Sequence, residues 1–271
     1  MLRTKRAKNL IISIAIAALA LMSFAPAVSV NAAEITTTSV TPLAASAQAT
    51  TKASAKAATA SSTVTNELVR GLENHESKIT LTTGSIKYTA GNINDAAAQV
   101  GNYLSKVLND NPQLFYAVSY GVSFSPNTSS KTVATITPKY TMSKSEAATA
   151  SVKLDKAAKK IESKVSKNAT AKQKAKTVNN LLKKTAKYGK SSNQQNAYGV
   201  LVQHKGVCQS YALAYEYIMR DLGVTTTTQL NSSGSHIWNK VYSSGKWHHV
   251  DVTWNDTAKT NKYFWTNSHE M

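Results

Sequence analysis

The chain has little of several residue types, and each shortage restricts its chemistry. Its 271 residues include a single cysteine, Cys208, so no internal disulfide can form and the fold must be stabilised by its core. A structural zinc site usually takes about four Cys or His ligands with paired spacings, and no second cysteine supplies such a pair. No acidic loop of the EF-hand type is present. We therefore expect no metal site and no other cofactor.

Long apolar runs are also missing, with one exception near the N-terminus. Residues 1–8 carry four basic residues and no acid, residues 10–21 form an apolar run, and residues 30–32 offer a small-residue cleavage site. This pattern predicts a secretory signal peptide over residues 1–32. The apolar run is too short to span a membrane. The mature protein is expected to be secreted, extracellular or associated with the cell wall, without a membrane span.

Two regions follow before the segments that carry chemistry. Residues 33–65 are rich in Thr, Ala and Ser and almost free of large apolar residues, which predicts a disordered tether. Residues 66–142 change to alternating helical and strand patterns, with a helix over 93–108 and strands over 114–122 and 132–136. We predict a small α+β N-terminal region there.

Acidic residues are few, and the imbalance is concentrated in one segment. The chain has 32 Lys and Arg against 14 acids, and residues 131–190 hold sixteen lysines and three acids, a net charge of +13. Two predicted helices over residues 143–187 place these lysines on their outer faces. Such a face most often serves solubility, but on an exported protein it would also attract anionic cell-wall polymers in a salt-dependent way. Nucleic acid is excluded as a partner because arginine is nearly absent and the lysines are not interleaved with aromatic residues.

The only cysteine lies at the start of a predicted helix in residues 206–223, GVCQSYALAYEYIMRDLG. Apolar residues recur at helical spacing from Ala212 to Leu222, and Gly223 supplies the C-terminal stop. Cys208 falls on the same stripe and should face the body of the protein. Free N–H groups and the positive end of the helix dipole favour a reactive thiolate there. A lone cysteine on an apolar face is more often a small buried hydrophobe, so both interpretations stay open on this segment.

Three runs downstream predict an antiparallel meander of strands over residues 225–230, 236–242 and 246–254. His236 opens the second strand and Asp251 lies in the third. A hairpin thus joins a candidate base to a candidate carboxylate. Histidine can take the thiol proton while aspartate fixes the tautomer of the imidazole and stabilises its charged form.

The remaining histidines of this region have separate predictions. Alternation along the third strand places His249 on the same face as Asp251, so His249 is a further candidate for the site. His248 and His204 are predicted to face solvent.

The motifs GVCQSYA, SHIWNKV and KWHHVDVTWND, in this order, resemble the transglutaminase-like superfamily, and in particular its secreted bacterial branch. The resemblance covers residues 194–271 well and the preceding helices loosely, which gives a domain over 143–271. It implies an α+β fold with a papain-related core, in which the helix of the nucleophile packs on an antiparallel sheet. By this resemblance Cys208 is the nucleophile, His236 the general base and Asp251 the orienting carboxylate.

Further roles follow from the same resemblance. The backbone N–H of Cys208 would donate to the oxyanion, and Gln203 is the candidate for a second donor. Trp238 is predicted to line the substrate-binding cleft. Relatives commonly carry a His-Asp pair where this chain has Asn179 and Asn180, which puts supporting contacts or substrate binding in doubt rather than the chemistry.

The sequence therefore predicts an exported thiol acyl-transfer enzyme that acts on carboxamide or peptide carbonyls of cell-surface protein or peptide. A cysteine peptidase or amidase of the same fold is the enzymatic alternative. The other alternative is a non-catalytic cell-wall-binding module, favoured by the basic helices and the substituted His-Asp pair. The residues alone do not select transamidation or hydrolysis.

Overall fold

The computed structural model describes residues 55–82, 86, 93–124 and 134–269. The predicted signal peptide and the first part of the predicted tether lie outside these residues. Helix α1 (Ala55–Glu73) begins inside the tether segment. Its buried residues Val64, Leu68 and Leu72 follow helical spacing and pack into an apolar core. The last part of the predicted tether is therefore helical, because its C-terminal end gains an apolar stripe.

The N-terminal unit combines two helices with a small antiparallel sheet. The sheet has the order β1 (Ile79–Leu81), β3 (Ala134–Tyr140), β2 (Ala117–Phe124), and Val122 of β2 lies opposite Ile136 of β3, so the two predicted strands pair with each other. The helices cover one face of the sheet with an apolar stripe that includes Val100 and Leu104. The elements after α1 are β1 (Ile79–Leu81), α2 (Ile93–Asp110), a 3-10 turn (Pro112–Leu114), β2 (Ala117–Phe124) and β3 (Ala134–Tyr140).

The predicted helical pair is present as α3 (Lys144–Glu162) and α4 (Ala171–Thr185). Each helix begins at a capping box. Ser143 caps α3 and Thr170 caps α4, and each side chain accepts the N–H of the third helical residue. Such a cap typically contributes about 1 kcal/mol to the free energy of unfolding. Most lysines of the pair are exposed, whereas Leu154 of α3 is fully buried in the second apolar core.

The C-terminal part builds a four-stranded antiparallel sheet with the order β6-β7-β8-β9, against which α6 packs. A short parallel bridge between β4 and β5 lies at the start of α6. The predicted helix of the cysteine and the predicted meander are confirmed as α6 and β6 to β8. The elements are β4 (Lys187–Tyr188), α5 (Ala197–Leu201), β5 (Lys205–Gly206), α6 (Cys208–Asp221), β6 (Thr226–Leu230), β7 (Ile237–Ser243), β8 (Lys246–Val250), α7 (Val252–Thr257) and β9 (Phe264–Thr266).

The third predicted strand is shorter than the sequence pattern indicated. It ends at Val250, and Asp251 becomes the N-cap of α7, with its carboxylate accepting the N–H of Trp254 at 2.9 Å. The alternating pattern had suggested a strand to residue 254, but the aspartate satisfies a free N–H of the next turn and starts a helix instead. This turn aims the Asp251 side chain back at the end of the sheet.

No helix among the described residues has the length and apolar character that crossing a bilayer requires.

Candidate active site

The first turn of α6 is fixed by close packing on the preceding segment. A Cβ added to Gly206 would meet the Ser210 side chain at 2.5 Å, so only glycine fits there. Ser210 donates to the Asn196 carbonyl at 2.5 Å and accepts the Val200 N–H at 3.0 Å. These contacts set the position of Cys208, which is partly buried against Ala212 and Ile237 as its helical stripe predicted.

His236 interacts with both Cys208 and Asp251. Its imidazole is close enough to the Cys208 side chain for the two to interact electrostatically, and its Nε2 lies 2.6 Å from Oδ2 of Asp251. Because Nε2 is used by the carboxylate, Nδ1 is the ring nitrogen that remains for the thiol. The Asp251 side chain is fully buried and that of His236 is 11% exposed, so water has little access to this pair.

Electrostatics favour a charged imidazolium in this arrangement. Burial opposes the charge on His236, but hydrogen bonds from the ring to Asp251 and Cys208, together with their negative charges, outweigh burial and raise its pKa to about 9. Burial likewise disfavours the Asp251 carboxylate, yet hydrogen bonds from His236 and His269 hold its pKa below the usual value of 3.8. A protonated His236 beside an ionised Asp251 is therefore favoured in this site.

Aromatic side chains enclose this histidine. Trp254 stacks on the His236 ring at 4.8 Å with an interplanar angle of 14°. Trp238, predicted to line the substrate cleft, is only 6% exposed, and its indole N–H donates to Nδ1 of His249 at 2.8 Å. Trp238 thus lies beside the His236 ring, with ring centroids 5.9 Å apart, and offers little surface to a ligand.

The predictions for His249, His248 and His204 have different outcomes. His249 reaches the site region through Trp238, and burial, followed by the charge of His269, lowers its pKa to about 4. A neutral ring suits its role as acceptor of the Trp238 N–H. The prediction that His248 faces solvent is wrong: it is 6% exposed and stacks on Trp265 at 4.3 Å. His204 is exposed, as predicted.

The side chain of Gln203 is engaged away from the thiol. Its Nε2 donates to Ser192 Oγ at 2.8 Å and its Oε1 accepts the backbone N–H of Asn193 at 3.3 Å. Both ends of the amide are therefore used to hold a loop, and this placement lends no support to Gln203 as an oxyanion donor. The first N–H groups of α6, which lack intrahelical partners, remain as candidate donors.

Sequence reasoning missed His269. Its Nε2 lies 2.8 Å from the same Asp251 oxygen that His236 uses, and its side chain is 1% exposed. The ring stacks on Trp238 at 4.2 Å, and its Nδ1 is buried without a hydrogen-bond partner. No spacing or periodicity in the sequence pointed to this residue, because it follows the last strand in an irregular segment.

We expect His269→Phe to keep the stacking on Trp238 while removing one hydrogen bond from the carboxylate. The free energy of unfolding should fall by about 1.5–3 kcal/mol, the usual range for a hydrogen bond to a charged group. The carboxylate would then hydrogen-bond to His236 alone, so the pKa of the His236 ring should rise above about 9. Denaturant unfolding and NMR titration of the His236 ring measure the two effects.

The matched control is His248→Phe, a buried histidine that also stacks on a tryptophan but does not contact Asp251. This variant should leave the pKa of His236 unchanged. An unmoved pKa in His269→Phe would show that His269 only fills space.

Asn179, which replaces a family histidine or aspartate, is fully buried in an amide network. Its Oδ1 accepts from Asn255 at 3.1 Å, and its Nδ2 donates to Asn261 at 3.1 Å. Asn255 belongs to α7, the helix that Asp251 caps. Asn179 therefore holds α7, the helix that Asp251 caps, in place through neutral hydrogen bonds.

Among the residues that the structure describes, one group of side chains has donors close enough to hold a metal ion. These are His236, Asp251 and His269, whose donor atoms lie within 4.8 Å of one another. Both histidine Nε2 atoms already hydrogen-bond to the same Asp251 oxygen. A bound ion would have to displace the protons of these hydrogen bonds.

Comparison with a family model supports the resemblance seen in the motifs. Residues 155–252 match the family model of the transglutaminase-like superfamily. The match spans Cys208, His236 and Asp251, whereas His269 and β9 lie beyond it. The chain therefore carries a transglutaminase-like domain with a mixed helix-and-sheet fold at residues 155–252.

Solved structures give distant similarities. A TGase aligns with a TM-score of 0.35 at 14% identity, covering 57% of this chain and 47% of that one. A candidate cysteine protease from Cytophaga hutchinsonii aligns with a TM-score of 0.30 at 19% identity, covering 45% of this chain and 51% of that one. The chain thus spans about half the length of each of these proteins. No curated protein matches the chain.

Proposed function

We propose that the protein is an enzyme that transfers acyl groups through Cys208, with His236 as acid and base and Asp251 as the orienting carboxylate. The observation that carries this proposal is that His236 hydrogen-bonds to a buried carboxylate at 2.6 Å and also interacts with the Cys208 side chain, and these partners raise its pKa to about 9. A merely structural cysteine has no need of such a partner.

The chemistry begins with attack of the Cys208 sulfur on a carboxamide or peptide carbonyl. The negative charge on oxygen is stabilised by N–H groups at the start of α6. Collapse of the tetrahedral intermediate breaks the C–N bond, and the imidazolium of His236 gives its proton to the departing amine. A thioester remains, and a second amine or water attacks it with His236 as base, which restores the thiolate–imidazolium pair and releases amide or acid.

Transfer to an amine is the outcome we favour over hydrolysis. The Asp251 carboxylate has no exposure and the His236 ring is stacked against Trp254, so the acid-base pair is poorly hydrated. Restricted water lengthens the life of a thioester and gives an amine time to react. Cell-surface proteins or peptides are the proposed substrates.

We propose export to the cell surface from the signal-peptide pattern of residues 1–32. The exposed lysines of α3 and α4 would then favour anionic wall polymers over other surfaces, since long-range attraction scales with charge and falls with salt. N-terminal sequencing of protein recovered from the medium, and its release from cells by salt, test these two statements. An uncleaved N-terminus, or retention that salt does not change, would contradict them.

The direct test is incorporation of a fluorescent primary amine into a glutamine-rich protein such as dimethylated casein. The parent chain should incorporate the amine, and Cys208→Ala should reduce incorporation to background, because no other thiol exists in the sequence. Ammonia release without the amine reports hydrolysis in the same samples. Equal incorporation by the Cys208→Ala variant would refute the proposal, and ammonia release without incorporation would identify an amidase.

A further inference from the structure

A cavity of about 360 Å³ lies between the N-terminal unit and the C-terminal core. One wall comes from the end of α2, the 3-10 turn and β2, through Leu108, Pro112 and Ser119. The other comes from residues 191–197 and from α6, through Gln209. Pockets that bind small ligands commonly measure roughly 300–1,000 Å³, so this volume suits a few linked groups of a larger substrate.

The lining combines many neutral hydrogen-bonding groups with an apolar floor. Carboxamides are contributed by Asn109, by Gln209 and by the run from Asn193 to Asn196, and serines by Ser119 and the loop. Within the run, Asn196 donates to Asn193 at 3.1 Å, which leaves Gln194 and Gln195 as the side chains of the run for a ligand. Carboxamides offer both donors and acceptors, which matches the alternating N–H and C=O groups of a peptide backbone. Leucine, proline and alanine side chains form the floor and suit an apolar substituent.

The charged and aromatic residues of the lining further restrict the class of ligand that the cavity can bind. Lys139 is the only charged residue in the lining, so the cavity holds no acid that would attract a cation. Phe115 is the only aromatic residue there, but it is 6% exposed and its face is stacked on Tyr198 at 4.5 Å. A sugar ring would lack the open aromatic face on which such rings commonly stack.

The cavity is attached directly to the turn that carries the nucleophile. Gln209, in its lining, follows Cys208 in the chain. On the loop side, the Gln194 carbonyl accepts the N–H of Val207 at 2.9 Å, and Ser191 donates to the Lys205 carbonyl at 2.9 Å. A ligand held by this loop is therefore positioned relative to the thiol by short, fixed connections.

We propose that this cavity binds the stretch of an extended peptide that flanks the reactive carboxamide, with an apolar side chain on the floor. This inference rests on the proposed function and adds that the substrate is a peptide, read in part by the N-terminal unit. The N-terminal unit is then a part of the substrate-binding site rather than a spacer.

The experiment fills the cavity from β2 with Ser119→Trp. The matched control is Thr137→Trp, which adds the same side chain to an exposed position on β3 outside the lining. Two substrates are compared in amine incorporation: acetyl-glutamine methylamide and the pentapeptide acetyl-Leu-Ala-Gln-Ala-Leu-amide. The ratio of kcat/KM between pentapeptide and short substrate should fall at least tenfold in Ser119→Trp and stay unchanged in Thr137→Trp. An unchanged ratio in Ser119→Trp would overturn the proposal.

Direct binding separates this inference from the proposed function. Fluorescein-labelled pentapeptide is titrated with Cys208→Ala chain, alone and combined with each tryptophan variant, and followed by fluorescence anisotropy. A dissociation constant raised at least tenfold by Ser119→Trp alone supports the cavity, even if the parent turns over neither substrate and the proposed function fails. Equal peptide affinity in all variants refutes it. A labelled N-acetylglucosamine tetrasaccharide that binds and is lost with Ser119→Trp, while the peptide does not bind, would assign the cavity to glycans instead.

Discussion

Asp251→Asn should lower kcat/KM by about 10³–10⁴, the loss expected when a catalytic histidine is held in the wrong tautomer. In the parent, Oδ1 of Asp251 accepts the Trp254 N–H at 2.9 Å, while Oδ2 faces the Nε2 atoms of His236 and His269 at 2.6 and 2.8 Å. An asparagine must keep its carbonyl oxygen toward Trp254, because an amide NH₂ there would face another donor. Its NH₂ then points at both rings.

The two histidines must respond by presenting unprotonated Nε2 atoms and moving their protons to Nδ1. His236 Nδ1 could then no longer accept the proton of the thiol. If the amide instead rotates, α7 loses its cap at a cost of about 1 kcal/mol. Steady-state kinetics of amine incorporation and denaturant unfolding distinguish these responses.

Asp256→Asn is the matched control for this substitution. Asp256 is a buried carboxylate of the same helix that accepts from Tyr211 at 2.6 Å and lies apart from the histidines. Its asparagine variant should keep activity within a few-fold of the parent. A loss below tenfold in Asp251→Asn would show that the carboxylate does not set the tautomer of His236.

His236→Ala should lower kcat/KM by about 10²–10⁴, the usual contribution of a positioned acid or base. In the parent, the pKa of His236 is raised to about 9, so the imidazolium predominates below that pH and can protonate the leaving amine. Activity should decline as pH rises through about 9, and this limb should be missing from the residual activity of His236→Ala.

The same shift has a consequence for stability. The folded pKa of His236 lies above its ordinary value of 6.5, so the stabilisation that it contributes is fully present below pH 6.5 and is lost as pH rises through about 9. The free energy of unfolding of the parent should therefore fall across this pH window, and His236→Ala should remove that dependence.

Added imidazole should partly restore the activity of His236→Ala without affecting the parent. A variant that keeps the alkaline limb, or gains nothing from imidazole, would assign the proton transfer to another group.

Much of the fold followed from local sequence signals. The helical stripe after Cys208 and the punctuation between the strands near His236 were clear enough to predict α6 and the meander. The cap at Thr170 was readable because a hydroxyl precedes a strongly periodic helix. Signals of this kind are local, and tertiary packing reinforced them.

The sequence was less informative where tertiary contacts outweighed the local pattern. Alternation through Asp251 favoured a longer strand, but the carboxylate caps α7 instead. His248 was expected at the surface by its residue type, yet Trp265 from β9 covers it, and that strand pairing is not encoded near the histidine.

For the candidate site, three members could be predicted because they lie in ordered motifs. His269 could not, since its contact with Asp251 depends on how the segment after β9 returns to the sheet. The cavity was equally unpredictable, because it forms between two units whose packing no local pattern specifies. The sequence therefore identified Cys208, His236 and Asp251 as candidates. His269, the second partner of Asp251, and the cavity proposed for the peptide became visible only in the folded structure.

The single thiol at the start of α6 allows the unmodified protein to be labelled at one known position. A thiol-selective dye or mass tag marks this atom without any substitution of other cysteines. If a component of crude cell-envelope extract binds next to Cys208, it should slow the reaction of the thiol with such a tag. Fluorescence of the attached dye would then follow each encounter in real time.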